Sequence, residues 1–254
     1  MTNTNKNLNL KGEISLITGA TRGIGNSIAE VFARAGSIVI GTATTQEGAE
    51  RITTNLSNVG LKGHGIVLDI SQSGQISSQI KELKKSDLMP SILVNNAGIS
   101  LENLLMRIKD EDWEKMISTN LSSAFFLCKA VIGPMLKKRH GRIINIGSIQ
   151  GTTGAIGHAH YSAAKAGLVG LTKSLAREVG SRGVTVNTIA PGYIITDMTK
   201  DIGDEINKSL LKQIPLERFG EPIDIANAAL FLASSSGSYI TGETIHINGG
   251  MHMS

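Results

Sequence analysis

Short apolar runs alternate with amphipathic stretches along the whole chain, and this alternation narrows the choice of fold more than any other feature. The runs lie at Glu13 to Thr18, Ser37 to Thr42, Gly65 to Asp69, Ile92 to Val94, Ile143 to Gly147, Val184 to Ala190 and Thr244 to Asn248. They read as short buried strands. Helical patterns fill the gaps: Asn26 to Gly36, Gln46 to Val59, Ser73 to Ser86, two stretches within Asp110 to Val131, a run holding Leu168, Leu171 and Leu175, and Pro222 to Ala233. Strands alternating with helices imply an α/β architecture, a doubly wound parallel sheet of about seven strands with helices on both faces and right-handed crossovers.

Nothing divides the 254 residues, so one domain spans 1–254, with a polar, Asn-rich N-terminal extension at 1–10. With 29 glycines and 4% aromatics, close helix-to-sheet packing over Val, Ile, Leu and Ala is expected. Cys128 is the only cysteine; no intrachain disulfide can form, and it reads as a buried apolar residue in a reducing cytoplasm. The first ten residues lack the apolar core of a signal peptide, and no uninterrupted apolar run reaches membrane length, so a soluble protein with no membrane partner is expected. A net charge of +4 permits an acidic protein partner. Without aromatic and basic residues interleaved, nucleic acid is not implied.

The first strand feeds Gly19-x-x-x-Gly23-x-Gly25, and a helix follows. Glycines here let the backbone approach a pyrophosphate at a helix N-terminus, where unpaired N–H groups and the dipole favour negative charge. The end of the second strand then selects the nucleotide, because an acid there would bind the adenine ribose diol and repel a 2′-phosphate. The run Gly41-Thr42-Ala43-Thr44-Thr45 has no acid before Glu47, while Arg22 offers a cation and Thr44 a hydroxyl, which points to NADPH. Arg22 also reads as a solvated loop arginine. Further on, the small residues of Asn95-Asn96-Ala97-Gly98 keep room above the sheet, with Asn96 on the cofactor side and Asn95 tying strands together.

Tyr161 and Lys165 stand one helical turn apart on the same face. A phenol with an ordinary pKa of about 10 is a poor acid near neutrality, and a fixed ammonium beside it is expected to lower that value. Alone, Tyr-x-x-x-Lys is a weak motif. Its weight comes from Thr18 to Gly25, Asn95 to Gly98, Asn120, Ser148 and Pro191-Gly192, which in this order resemble the short-chain dehydrogenase/reductase family over nearly the whole chain. Arg142 to Ser148, Lys173 to Glu178, Thr196 to Thr199 and Tyr239 to Met251 are similar to the bacterial 3-oxoacyl-[acyl-carrier-protein] reductases of that family.

The resemblance implies a Rossmann-type fold, a commonly tetrameric assembly, and NADPH-dependent reduction of 3-oxoacyl-[acyl-carrier-protein] to the (3R)-3-hydroxyacyl form. Ser148, Tyr161, Lys165 and Asn120 would be catalytic, Asn120 holding a water next to Lys165. The cofactor would be held by Gly19, Thr21, Arg22, Gly23, Ile24, Gly25, Thr44, Asp69, Ile70, Asn96, Ala97, Gly98, Tyr161, Lys165, Pro191, Gly192, Ile194 and Thr196. From the residues alone, Asp69 reads equally as a cap for the segment at Ser71, and Asn120 as a cap or kink. The segment 197–216 is expected to form a substrate lid. Lys137-Lys138-Arg139-His140 suits any helix C-terminus, yet the resemblance makes Arg139 and Arg182 contacts for acyl carrier protein. His158 and His160 have no third ligand nearby, so they read as solvated loop residues and no metal is expected. Other readings are a reductase of acetoacetyl-coenzyme A or another ketone, and a non-catalytic NADP sensor.

Overall fold

The structure, a computed structural model, describes residues 8–196 and 209–253. Most of the segment read as a lid, 197–208, therefore lies outside the described residues, as does nearly all of the N-terminal extension. Leu10 belongs to the fold instead: it is buried, and its N–H donates to the Ala35 carbonyl at 2.8 Å.

Seven strands form one parallel sheet: β1 (Ile14–Ile17), β2 (Ile38–Ala43), β3 (Gly63–Val67), β4 (Ile92–Asn95), β5 (Gly141–Ile146), β6 (Val184–Pro191) and β7 (Thr244–Ile247). Their order across the sheet is β3-β2-β1-β4-β5-β6-β7. The chain winds outward from β1 to β3, then returns to place β4 on the other side of β1. That reversal opens a crevice at the carboxyl ends of β1 and β4, where ligands of such sheets bind.

Alternation along the strands supplies both cores. Ile17, Val39, Ile92, Val94, Ile144 and Ile189 face one helical layer, while Leu16, Ile40, Leu93, Ile143, Val184 and Val186 face the other. Helices α1 (Gly23–Arg34), α2 (Gln46–Asn58) and α8 (Pro222–Ala233) contribute to the first core. The second takes α3 (Ser73–Lys85), α5 (Ser123–Lys138) and α7 (Ala159–Val179). A sheet apolar on both faces needs such covering, which is why its strands read as unbroken apolar runs.

Three elements differ from expectation. Helix α1 begins at Gly23, inside the glycine loop. The two stretches within 110–131 form one longer run, α4 (Asp110–Ile117) joined to α5 by a π turn at Ser118–Ser122. Finally, a short helix α6 (Gln150–Thr153) stands in the loop after β5. The run Asp110–Lys138 is, by length and composition, apolar enough to cross a membrane. Here its α5 half packs on β4, β5, α3 and α7.

Candidate active site

Two elements bring Ser148 and Tyr161 together. The ladder between β5 and β6 extends past Ile146, with the Gly147 N–H donating to the Ile189 carbonyl at 2.7 Å and the Ile149 N–H to Pro191 at 3.0 Å. Ser148 is thereby fixed at the carboxyl edge, and its Oγ accepts from the Gln150 N–H at 3.2 Å. Helix α6 then lies directly on α7. A Cβ on Gly151 would come within 2.9 Å of the Lys165 backbone, so only glycine allows that approach. Tyr161 stands in the first turn of α7, with Ser148 close enough to act on its phenol.

Lys165 follows one turn later, buried to 5% exposure, with Nζ donating to the Ile146 carbonyl at 2.8 Å and lying 5.6 Å from the Tyr161 ring centroid. Desolvation lowers its pKa to about 8. The expectation for the phenol is corrected here. Burial raises the Tyr161 pKa above its ordinary value, and the bond to Ser148 offsets this only in part. Lys165 Nζ is turned to the Ile146 carbonyl, and desolvation dominates at the phenol. The phenol is consequently held protonated at neutral pH, the form that a proton donor requires.

Asn120 sits in the π turn, 3% exposed. Its Oδ1 accepts from the Ile99 N–H and its Nδ2 donates to the Ile99 carbonyl, both at 2.8 Å, while Nδ2 also contacts Met116 Sδ at 2.7 Å. The amide thus pins the segment after β4 to the helix, and one Oδ1 lone pair remains for a further partner. Gly98 separates this amide from the amine: a Cβ there would lie 2.7 Å from Asn120 Oδ1 and 3.7 Å from Lys165 Nζ. The π turn was not foreseen. Such turns recur at functional sites, and an asparagine in mid-helix is the only local hint of it.

The glycine loop lies in the crevice beside these groups. Gly19 and Gly23 have φ of 65° and 55°, and a Cβ on Gly25 would meet the Gly19 carbonyl oxygen at 2.2 Å. Thr18, which sequence reasoning passed over, organises the junction: its Oγ1 accepts from the N–H groups of Asn96 and Ala97, both at 2.9 Å. Asn96 is turned into the loop, its Nδ2 donating to the carbonyls of Thr18 at 2.8 Å and Gly19 at 3.2 Å. It shapes the cradle from the protein side. Asn95 does tie strands, donating to Asn145 Oδ1 at 2.8 Å.

Around the rim, Arg22 and Thr44 are exposed, and Thr45 caps α2 by accepting from the Gly48 N–H at 3.1 Å. Thr21 and Ile24 are half-buried. Asp69 Oδ1 accepts from the Ser71 N–H at 2.9 Å and the Ser71 hydroxyl at 2.7 Å, so it does cap that turn, with Ile70 buried beside it. After Pro191, a Cβ on Gly192 would meet Asn248 Cβ at 2.6 Å, and Ile194 pairs with Gly220. Thr196 reaches back over the crevice, its Cγ2 placed 3.4 Å from where a Cβ on Gly23 would stand.

His160 is not the solvated loop residue expected of it. It is 1% exposed on α7, and burial together with the neighbouring His158 lowers its pKa, favouring the neutral ring. His158 packs edge-on against Tyr161 with centroids 6.1 Å apart. Among the described residues no group of three metal-ligating side chains occurs. Arg139 and Arg182 are not brought to this site: they stand at the opposite edge of the sheet, before the amino ends of β5 and β6.

A family model described as enoyl-(acyl carrier protein) reductase matches residues 19–252. The 3-oxoacyl-[acyl-carrier-protein] reductase FabG of Escherichia coli (strain K12) is 54% identical over 97% of this chain and 100% of its own length. The chain belongs to the short-chain dehydrogenase/reductase family. Other members at similar distance are the FabG proteins of Vibrio cholerae, 53% identical, and Pseudomonas aeruginosa, 49% identical, each over 97% of this chain and 100% of the relative. Solved structures agree on the fold. A family member described as a gluconate dehydrogenase, from Agrobacterium tumefaciens, superposes with a TM-score of 0.94 at 31% identity, covering 96% of this chain and 97% of its own. One described as an NAD(P)-dependent gluconate 5-dehydrogenase, from Beutenbergia cavernae, gives 0.91 at 33% identity, covers 96% and 98%, and holds NADP at low occupancy.

Proposed function

We propose that this chain reduces the C3 ketone of 3-oxoacyl-[acyl-carrier-protein] to the (3R)-3-hydroxyacyl product with NADPH, in the cytoplasm, as a step of fatty-acid elongation. The observation that carries the reading is a half-buried phenol beside Ser148, one helical turn from a buried amine that lies 5.6 Å from its ring, at the edge that bears the glycine cradle. The named activity of relatives 49–54% identical over their full length supports the substrate class.

The cradle fits a dinucleotide, because its packing leaves no volume for side chains at Gly19 and Gly25 and the N-terminus of α1 faces it with unpaired N–H groups. When bound, NADPH would supply the hydride. Gly19, Thr21, Gly23, Ile24 and Gly25 would hold its pyrophosphate region, Arg22 and Thr44 the 2′-phosphate, and Asp69 and Ile70 the adenine. Ala97, Gly98, Pro191, Gly192, Ile194 and Thr196 would line the nicotinamide side, with Asn96 acting through the loop that it braces. Lys165 would leave the Ile146 carbonyl to hold the ribose hydroxyls and support the phenol.

On the substrate, Ser148 would donate to the ketone oxygen and Tyr161 would pass its proton to the developing alkoxide, a general acid worth about 10²–10⁴-fold. Asn120 would anchor a water that returns protons toward Lys165. Arg139 and Arg182 would meet acyl carrier protein, and a homotetramer would present them.

The family description favours a second reading, reduction of an enoyl thioester, in which the proton goes to carbon. Loss of absorbance at 340 nm decides between them. A 3-oxoacyl-carrier substrate should turn over well and its trans-2-enoyl counterpart hardly at all, and the reverse ranking removes the proposal. Comparing acetoacetyl on carrier protein with acetoacetyl-coenzyme A fixes the carrier. No turnover with any thioester would leave an NADP sensor.

A further inference from the structure

A chain of polar side chains crosses the core on the α7 side of the sheet. Asn95 Nδ2 on β4 donates to Asn145 Oδ1 on β5 at 2.8 Å, Asn145 Nδ2 donates to Thr172 Oγ1 on α7 at 2.8 Å, and the Thr172 and Thr188 hydroxyls meet at 2.8 Å. Asn145, Thr172 and Thr188 are fully buried. The layer around them is otherwise apolar, with Leu127, Ile143 and Val186. Placing amides and hydroxyls there costs desolvation that apolar side chains of the same volume would not incur. What the polar atoms add is direction. Apolar contact tolerates sliding, whereas a satisfied buried network fixes one arrangement. The Asn145 amide keeps its oxygen on β4 and its nitrogen on α7, so it cannot turn over without losing both bonds.

This junction lies directly beneath the reacting groups. Asn145 precedes Ile146, whose carbonyl accepts from Lys165 Nζ at 2.8 Å. Thr172 stands two turns beyond Lys165 on the buried face of α7, ~10 Å along the axis at ~1.5 Å per residue. At its far end the network touches the serine side, since a Cβ on Gly147 would stand 2.8 Å from Thr188 Cγ2 and Ser148 comes next.

Nothing else holds the helix with comparable direction. Its amino end rests on α6 through the close approach at Gly151, and α6 is a single turn with Thr152 and Thr153 exposed. Gly167 packs on the Leu121 side chain, an apolar contact. Among the described residues, Lys165 and Thr172 are the two α7 side chains that hydrogen-bond to the sheet. Lys165 belongs to the chemistry, which leaves Thr172 to set the register.

We propose that Thr172 and Asn145 are positioning residues: their bond fixes α7 against β5 and so sets where Lys165 stands at the strand end. This rests on the assignment of Tyr161 and Lys165 as the reacting pair. Misplacement of catalytic groups by about 1 Å, caused from a distance, can cost about 10²-fold in rate. Two variants separate the hydroxyl from the shape: Thr172→Val keeps the branching and loses the bond, and Thr172→Ser keeps the bond. Rates on a 3-oxoacyl thioester are taken per NADPH-binding site, counted by fluorescence titration, so that unfolded protein does not enter.

Thr172→Val should lower kcat about ten- to a hundredfold with the thioester KM changed less than about twofold, while Thr172→Ser stays within about twofold of the wild-type kcat. The same Val substitution in a Lys165→Met enzyme should cost less than about twofold, because the group it works through is gone. Unchanged kcat in Thr172→Val overturns the proposal. So does a Ser variant as slow as the Val variant, which would mark general sensitivity of the core at this point, and so does an undiminished loss in the Lys165→Met background. Should Thr172→Val fail to fold, Asn145→Leu breaks the same bond from the strand and is judged on the first and third of these outcomes. Wild-type turnover in Tyr161→Phe would remove the reacting pair itself, whereas a full-rate Thr172→Val in an enzyme that needs Tyr161 removes the positioning role alone.

Discussion

The two edges of the sheet treat buried charge in opposite ways. At the amino edge, burial alone would raise the Glu13 carboxyl, but hydrogen bonds from His140 and Ser91 and the charges of His140 and Arg142 outweigh it and leave it below its ordinary range. Ser91 joins the pieces, its hydroxyl donating to Glu13 Oε2 at 2.5 Å and accepting from the Ile14 N–H at 3.2 Å. At the carboxyl edge, Lys165 has a carbonyl for a partner and no carboxylate, and its pKa drops to about 8. The amino edge is arranged so that ionisation favours folding. The carboxyl edge holds ionisable groups in states that folding alone would not select, as sites do when pKa values serve a reaction.

Replacing Tyr161 by Phe tests this contrast most severely. kcat for ketone reduction should fall about 10²–10⁴-fold, with NADPH affinity retained. In the wild type, reduction needs the protonated phenol, whose pKa lies above the ordinary 10.0. A kcat/KM profile for NADPH, which reports the groups of the free enzyme, should therefore stay level through neutral pH and fall only in strong alkali. A fall centred near pH 7 would show that the phenol is acidified, and the contrast between the edges would lose its main support.

Lys165→Met comes next in size, and here stability is the readout. The amine titrates near 8 when folded against 10.5 when free, so the unfolded chain binds more protons between those values. Wild-type stability should rise with pH from about 8 to 10.5 by roughly 3 kcal/mol, while the Met variant shows no such rise. Below pH 8 the difference is constant. Urea titrations of both proteins at pH 7 and pH 10 measure it, and a slope shared by both would mean that the amine is not desolvated in the cofactor-free protein.

How much of this was legible in advance follows from how local each feature is. The glycine loop and the buried strands are written in consecutive residues. Helix α8 could be bounded residue by residue, because Pro222 occupies its first turn and Glu221 and Asp224 form a capping box. Asp69 showed its turn through the short step to Ser71. The start of α1 was missed because Gly23 at φ 55° carries no helical signal. Arg139 takes the left-handed position that ends α5, at φ 52°, where a glycine is the usual cue. The phenol's environment was misjudged because sequence spacing gives the proximity of Lys165 but not the loss of water around both groups. Thr18 and Asn96, and still more Glu13 and His140, meet across 78 and 127 residues, and no local pattern announces such pairs.

The smallest effect concerns that last pair and probes the amino edge directly. Glu13→Gln keeps the shape but removes the charge that faces His140 and the buried Arg142, leaving a guanidinium at 7% exposure without its carboxylate. Hydrogen bonds to charged groups are worth about 1.5–3 kcal/mol, and the Glu13 side chain at 24% exposure and His140 at 42% place this pair toward the lower end. Because the folded carboxyl lies below its ordinary 4.5, its contribution is fully present above that pH and is lost as pH falls through the folded value. Chemical denaturation should find the variant less stable at pH 7, and the deficit should shrink toward pH 3 as the wild type protonates. Turnover at pH 7 should stay at the wild-type level, since β5 carries rigid core between Glu13 and Ser148. A Glu13→Gln enzyme with normal stability but lowered kcat would place the amino edge in energetic contact with the chemistry, and the division of labour between the edges would have to be abandoned.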